Sequence, residues 1–158
     1  MTELPPDAEA ACRRTQLVGV SLLSCIALYA YVLRVVAAQH APFIGFAPSI
    51  DLRLLRVVFA LLAVADLAML RFITPLILAG SRSGATAARG SAVTPRLVTL
   101  SIVRLAICEG VAILGVALFL LGGRWADFCG FAVASLAAFA FNFPRRLLWQ
   151  DWMRDLPR

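Results

Sequence analysis

The chain has 158 residues, 61% of them hydrophobic, with a mean hydropathy of +0.87. That composition leaves too little polar surface for a soluble globular domain and points to a single all-α unit embedded in a membrane. The net charge of +6 rests on fifteen arginines and no lysine. Because these arginines cluster beside the apolar runs, the charge reads as membrane topology and not as affinity for nucleic acid.

Residues 1–16, "MTELPPDAEAACRRTQ", are polar and rich in breakers, and the spacing predicts a short, partly disordered tail. Arg13-Arg14 lacks the surroundings of a twin-arginine export signal. The acidic start also argues against a cleaved signal peptide, so an uncleaved first span is expected. That span covers Leu17–Ala38, roughly 33 Å of helix, which matches the hydrocarbon thickness of a bilayer. Arg34 falls near its far end, where its stem can reach the interface.

The loop "QHAPFIGFAPSIDLR" contains Pro42, Gly45 and Pro48, with Phe43 and Phe46 suited to the membrane surface. His40 stands alone there and is read as a solvated or interfacial side chain. A second span, Leu54–Ala79, includes Asp66, Arg71 and Pro75. The proline frees the Arg71 carbonyl and predicts a kink. "GSRSGATAARGSAVTPR" then reads as a flexible solvated connection.

Span three is Leu97–Leu121, "GGR" makes a turn, and span four is Trp125–Phe143. The closing segment 144–158 separates Leu147, Leu148, Trp152 and Leu156 from Arg145, Arg146, Asp151 and Arg154, the pattern of an amphipathic helix on the membrane surface. Trp125, Trp149 and Trp152 are expected as interface anchors in an aromatic belt. In span four, Gly130, Ala134 and Ala138 recur at helical spacing, with Ser135 beside them. Such small residues let membrane helices approach closely. The four cysteines form no CxxC pair and have no histidine at metal-ligand spacing, so neither a disulfide nor a metal is expected.

Four spans place both ends of the chain and the central connection on one side. That side holds nine arginines (Arg13, Arg14, Arg82, Arg89, Arg96, Arg145, Arg146, Arg154 and Arg158) against two to four on the other. The positive-inside rule then puts both termini in the cytoplasm, in a multi-pass protein of the cell inner membrane.

The charges inside the spans are the candidate site. Asp66, Arg71, Arg104 and Glu109 would each cost about 2.5–3.5 kcal/mol near the middle of a span. Counted from the cytoplasmic helix ends, Asp66 lies about 21 Å deep and Glu109 about 18 Å, while Arg71 and Arg104 lie about 13 and 10 Å deep. Within one helix the i, i+5 spacing points the charges apart. Pairing across the helices is therefore expected: Glu109 with Arg71, and Asp66 with Arg104. These four residues form an intramembrane charge cluster and a candidate ion or proton site. "LAVADLAMLRFITPLILAG" (62–80) also aligns without gaps to "LAICEGVAILGVALFLLGG" (105–123), matching Asp66 to Glu109. Such an echo would have inverted topology, which in transporters places sites near the midplane.

Residues 86–121, with "AICEGVAILGVALFLL" after the loop "TAARGSAVTPRL", resemble the carboxylate-bearing helix of rotary ATPase c subunits (proteolipids). The resemblance implies an ion-carrying role for Glu109 and places the loop arginine at Arg89 or Arg96. It stops at span two, which has no glycine and carries Asp66 and Arg71. The ending "FNFPRRLLWQDW" resembles small bacterial four-span membrane proteins, which implies the same four-helix architecture.

No Ser/His/Asp set, metal-spaced cluster or phosphate loop is present, so neither enzymatic activity nor a cofactor is expected. The expected role is a non-enzymatic accessory or structural membrane component with charge-paired helices. The alternative is a proton- or ion-translocating protein, or a small oligomeric transporter, using Glu109. The expected partners are the lipid bilayer and either further copies or membrane-complex subunits, with no nucleic acid.

Overall fold

The structure is a computed structural model that describes residues 5–47, 50–79 and 93–154. Among these residues it is all α-helical: α1 (Pro6–Gln39), α2 (Leu52–Ala79), α3 (Val93–Gly122), α4 (Trp125–Asn142) and α5 (Arg146–Arg154). The first four are long and apolar enough to cross a membrane.

α1 starts well before the apolar run, so the expected tail over 1–16 is corrected: it is helical from Pro6. Pro6 fits the first helical position, where its missing N–H costs no bond. Asp7 and Glu9 face the positive end of the helix dipole in the first turn. These polar turns extend a 34-residue helix beyond the length a bilayer requires. Most of the connection expected over 80–96 lies outside the described residues. Its last residues, including Arg96, already belong to α3.

α3 is the central helix. Leu97, Leu100, Leu105, Cys108, Val111, Ala112, Leu118 and Phe119 are fully buried in it, and α1, α2 and α4 all pack against it. α3 is far more deeply buried than α1 or α2. A helix apolar all round belongs at such a centre. α4 runs antiparallel to α3: Ser135 Oγ donates to the Cys108 carbonyl at 2.6 Å, while Phe119 and Trp125 meet at the opposite end with ring centroids 4.6 Å apart. α2 also runs antiparallel to α3, since Thr74 meets Arg104 near one end and Leu52 lies against Gly122 near the other.

The small-residue stripe expected in α4 is not its packing face. Ala138 is buried, but Gly130 and Ala134 are exposed and a methyl added at Gly130 would meet nothing. The buried residues are Phe128, Ala132, Ser135, Ala138 and Phe139. The close approach depends instead on Gly115 of α3, where a Cβ would run into Phe131 and the Phe128 backbone. The small residue stands on one helix and the bulky ones on the other.

At the end away from the chain termini, the loop after α1 caps α3. Phe46 and Ala47 N–H donate to the carbonyls of Leu120 and Leu121 at 2.8 and 3.2 Å. These are among the carbonyls a helix leaves unpaired at its C-terminus. Gly45 makes the approach feasible: its φ is +89°, and a side chain there would collide with the Leu121 carbonyl. Phe43 is drawn into the protein and stacks on Phe119 at 5.4 Å, while Phe46 stays exposed. His40 closes α1, is exposed, and meets the Phe46 ring edge-on at 5.7 Å.

Candidate functional site

Three side-chain to side-chain ties, built around Arg104, Glu109 and Arg56, join helices within the bundle among the described residues. Arg104 of α3 reaches between its two antiparallel neighbours. Its Nε and Nη2 donate to Asn142 Oδ1 of α4, and its Nη1 donates to Thr74 Oγ1 of α2 at 3.0 Å. The indole of Trp152 lies 5.2 Å from the guanidinium carbon, within range of a cation–π contact. Asn142 is itself held, donating through Nδ2 to the Ala138 carbonyl at 2.8 Å. Because Asn142 is the last residue of α4, Arg104 stands where that span ends and not deep within the apolar layer.

Glu109 follows five residues later on another face of α3, turned toward α1. There Tyr29 donates its hydroxyl to Glu109 Oε1 at 2.6 Å. The two expected cross-helix ion pairs are therefore corrected. Glu109 is partnered by Tyr29 and not by Arg71, and Arg104 is partnered by Asn142 and Thr74 and not by Asp66. Helix rotation is the reason. Glu109 sits 100° around α3 from Cys108, which faces α4. That turn carries it toward α1, while Arg104 stays on the α2–α4 side.

Asp66 is half-buried on the α2 stripe that contains buried Ala63 and Leu70. Arg71 is exposed. Neither has a hydrogen bond or ion pair among the described residues. The two carboxylates do share a level. Interpolating along the α2–α3 pair from the Thr74–Arg104 contact to the Leu52–Gly122 contact puts Asp66 within a turn of Glu109.

The strongest tie was not anticipated. Arg56 of α2 grips Asp127 of α4, with Nε to Oδ1 and Nη2 to Oδ2 both at 2.9 Å and Nε to Oδ2 at 3.0 Å. Both side chains are largely shielded, 27% and 13% exposed, and such a fork-on-carboxylate arrangement is the strong form of an ion pair. The signal was present in the sequence: Arg56 and Asp127 each fall just inside the start of an apolar span, at the same end of the bundle. Depth counting applied to spans two and four would have paired them.

At the opposite end, the anchor assignment for two tryptophans is corrected. Trp149 is fully buried and Trp152 nearly so, in a cluster with Ala8, Cys12, Leu97 and Leu100. They dock α5 onto the first turns of α1 and α3 in place of facing lipid. Trp149 Nε1 donates to Ser101 Oγ at 3.2 Å, and Gln16 Nε2 donates to the Pro144 carbonyl at 2.9 Å. On the rim Arg146 bonds Glu9. Burial pushes the Cys12 thiol above its ordinary pKa, with nearby Arg146 acting the other way. Trp125 is 37% exposed and tilts against Phe119, so part of its ring remains available to an interface. Leu147 is exposed, as a surface-lying tail requires, and Leu156 lies outside the described residues.

Chemically, these groups hold helices together. Among the described residues every buried side-chain nitrogen and oxygen has a hydrogen-bond partner. Comparison of the chain with family models, curated proteins and solved structures found no match.

Proposed function

We propose that this chain is a multi-pass protein of the cell inner membrane, with both termini in the cytoplasm. Its role is that of a non-enzymatic accessory or structural component, alone, as several copies or within a membrane complex. One observation carries this reading: most of the polar side chains between the spans tie one helix to another. Arg104 joins α2, α3 and α4; Arg56 and Asp127 join α2 and α4; Tyr29 and Glu109 join α1 and α3. Internal ties of this kind need no transported ligand. Reporters fused after Arg158 or within 81–92 should read cytoplasmic, and reporters near His40 or Gly123 should read external. An external reading after Arg158 would overturn the orientation.

A second reading has its own support, since the one described partner of Glu109 is a neutral phenol and not a cation. A carboxyl group held this way inside a span is compatible with ion translocation. Proteoliposomes loaded with a pH-sensitive dye separate the two. The structural reading expects no proton flux above that of protein-free vesicles from the parent or from Glu109→Gln, and a Glu109→Gln variant destabilised by about 1 kcal/mol. A flux present in the parent, lost in Glu109→Gln and restored by Glu109→Asp would overturn it.

A further inference from the structure

Arg104 is held entirely by neutral groups. Asn142, Thr74 and the Trp152 ring position the guanidinium, but none of them cancels its charge. Three of its five N–H donors are used in the bonds to Asn142 and Thr74, which leaves two free. Arg71 precedes Thr74 by three residues on α2, so the two are neighbours on the helix surface. Arg71 is exposed, and no carboxylate pairs with either arginine among the described residues. The α2–α3 seam around Thr74 therefore carries two positive charges with no carboxylate paired to either among the described residues.

Level and surroundings identify what can supply that counter-charge. Arg104 bonds the last residue of α4, so it stands near where the bilayer places its phosphates, and Arg71, about one turn further in on α2, reaches toward that level with its long stem. On Arg71's own face of α2, seven and fourteen residues toward the membrane centre, Val64 and Val57 are 65% and 56% exposed. They form an apolar wall that acyl chains can cover and that a free anion in water cannot use. Basic pockets between membrane helices on the cytoplasmic side are known sites for anionic headgroups.

We infer that this seam binds the phosphodiester of an anionic phospholipid from the cytoplasmic leaflet. Arg104 and Arg71 donate to the phosphate oxygens, Thr74 and Asn142 hold Arg104 in place, and the chains lie along Val64 and Val57. The inference rests on the membrane reading above and takes its leaflet from the proposed orientation.

The test uses the full chain, delipidated in neutral detergent, with thermal unfolding followed as lipid is added. Dioleoylphosphatidylglycerol should raise the unfolding midpoint in a saturable way, while dioleoylphosphatidylcholine and inorganic phosphate at the same concentrations should not. Arg71→Gln should need about fivefold more phosphatidylglycerol for the same shift. Arg34→Gln, which removes an exposed arginine from the far end of α1, should titrate as the parent does. If Arg71→Gln lowers the midpoint without lipid, Arg71→Lys must restore the phosphatidylglycerol response. Equal responses to the two lipids, a response to phosphate alone, an Arg71→Gln titration matching the parent, or failure of Arg71→Lys to restore would each overturn the site. Reversed reporter fusions with an intact lipid response would change the leaflet and the orientation, not the site.

Discussion

Trp149→Ala should destabilise the protein by about 3–5 kcal/mol, the range for removing a large aromatic from a closed core. The indole is fully buried between α1, α3 and α5, and its N–H is satisfied by Ser101. Truncation therefore loses packing and strands the Ser101 hydroxyl on that side. α5 has nine residues, too few for a helix to persist without tertiary contacts, so its helical content should go with its anchor. The exposed Glu9–Arg146 pair cannot hold it, since exposed ion pairs contribute about 0–1 kcal/mol.

Cys12 gives a second readout of the same event. It is 1% exposed and shares the cluster with Trp149, and burial raises its thiol pKa, which lowers the reactive thiolate fraction. In a background with Cys25, Cys108 and Cys129 replaced by Ala, maleimide should label Cys12 slowly in the parent and readily in Trp149→Ala. Trp149→Phe, which keeps most of the volume, should cost only about 1 kcal/mol for the lost hydrogen bond and leave Cys12 protected. Equal labelling of the parent and Trp149→Ala would show that α5 does not cover the first turns of α1.

Which parts of this arrangement were legible in the sequence follows from the kind of information each requires. Apolar length alone defines where a chain can cross a bilayer, and the four spans, the end of α2 at Ala79 and the start of α4 at Trp125 agree with it. Hydropathy could not show that α1 continues back to Pro6, because those turns are stabilised by contacts with α5, which is remote in sequence. Depth is also countable from helix rise, and it correctly levels Asp66 with Glu109. Rotation about each axis is not. α3 is apolar nearly all round, so no amphipathic stripe indicates which way Arg104 and Glu109 point. Their expected partners therefore failed, while the level that Glu109 shares with Asp66 agrees with the helix contacts. Trp149 and Trp152 failed for a related reason: a tryptophan near a span end looks the same in sequence whether lipid or another helix covers it.

Arg104→Leu tests the tie that sequence reasoning misassigned, and it should cost about 2–4 kcal/mol. The upper part of that range comes from hydrogen bonds to a charged donor, about 1.5–3 kcal/mol each in soluble proteins. The lower part reflects the smaller values, averaging about 0.6 kcal/mol, found between membrane helices. Partial compensation comes from no longer desolvating a guanidinium. Thr74 and Asn142 keep their own bonds to Leu70 and Ala138, so the loss is the bridge between α2 and α4 and not the folding of either helix. Arg104→Lys should recover little, because a single ammonium cannot reproduce a planar fork that engages Asn142 through two nitrogens while reaching Thr74. The pairing is isolated by adding Asn142→Leu. If the two residues act as one tie, the double variant should be less destabilised than the sum by at least about 1 kcal/mol, read from unfolding midpoints in one detergent. Arg71→Gln belongs in the same series as a control. With no partner among the described residues, it should stay within about 0.5 kcal/mol of the parent in lipid-free detergent. Additive losses for Arg104 and Asn142 would mean that each side chain stabilises the bundle separately and that the bridge contributes nothing of its own.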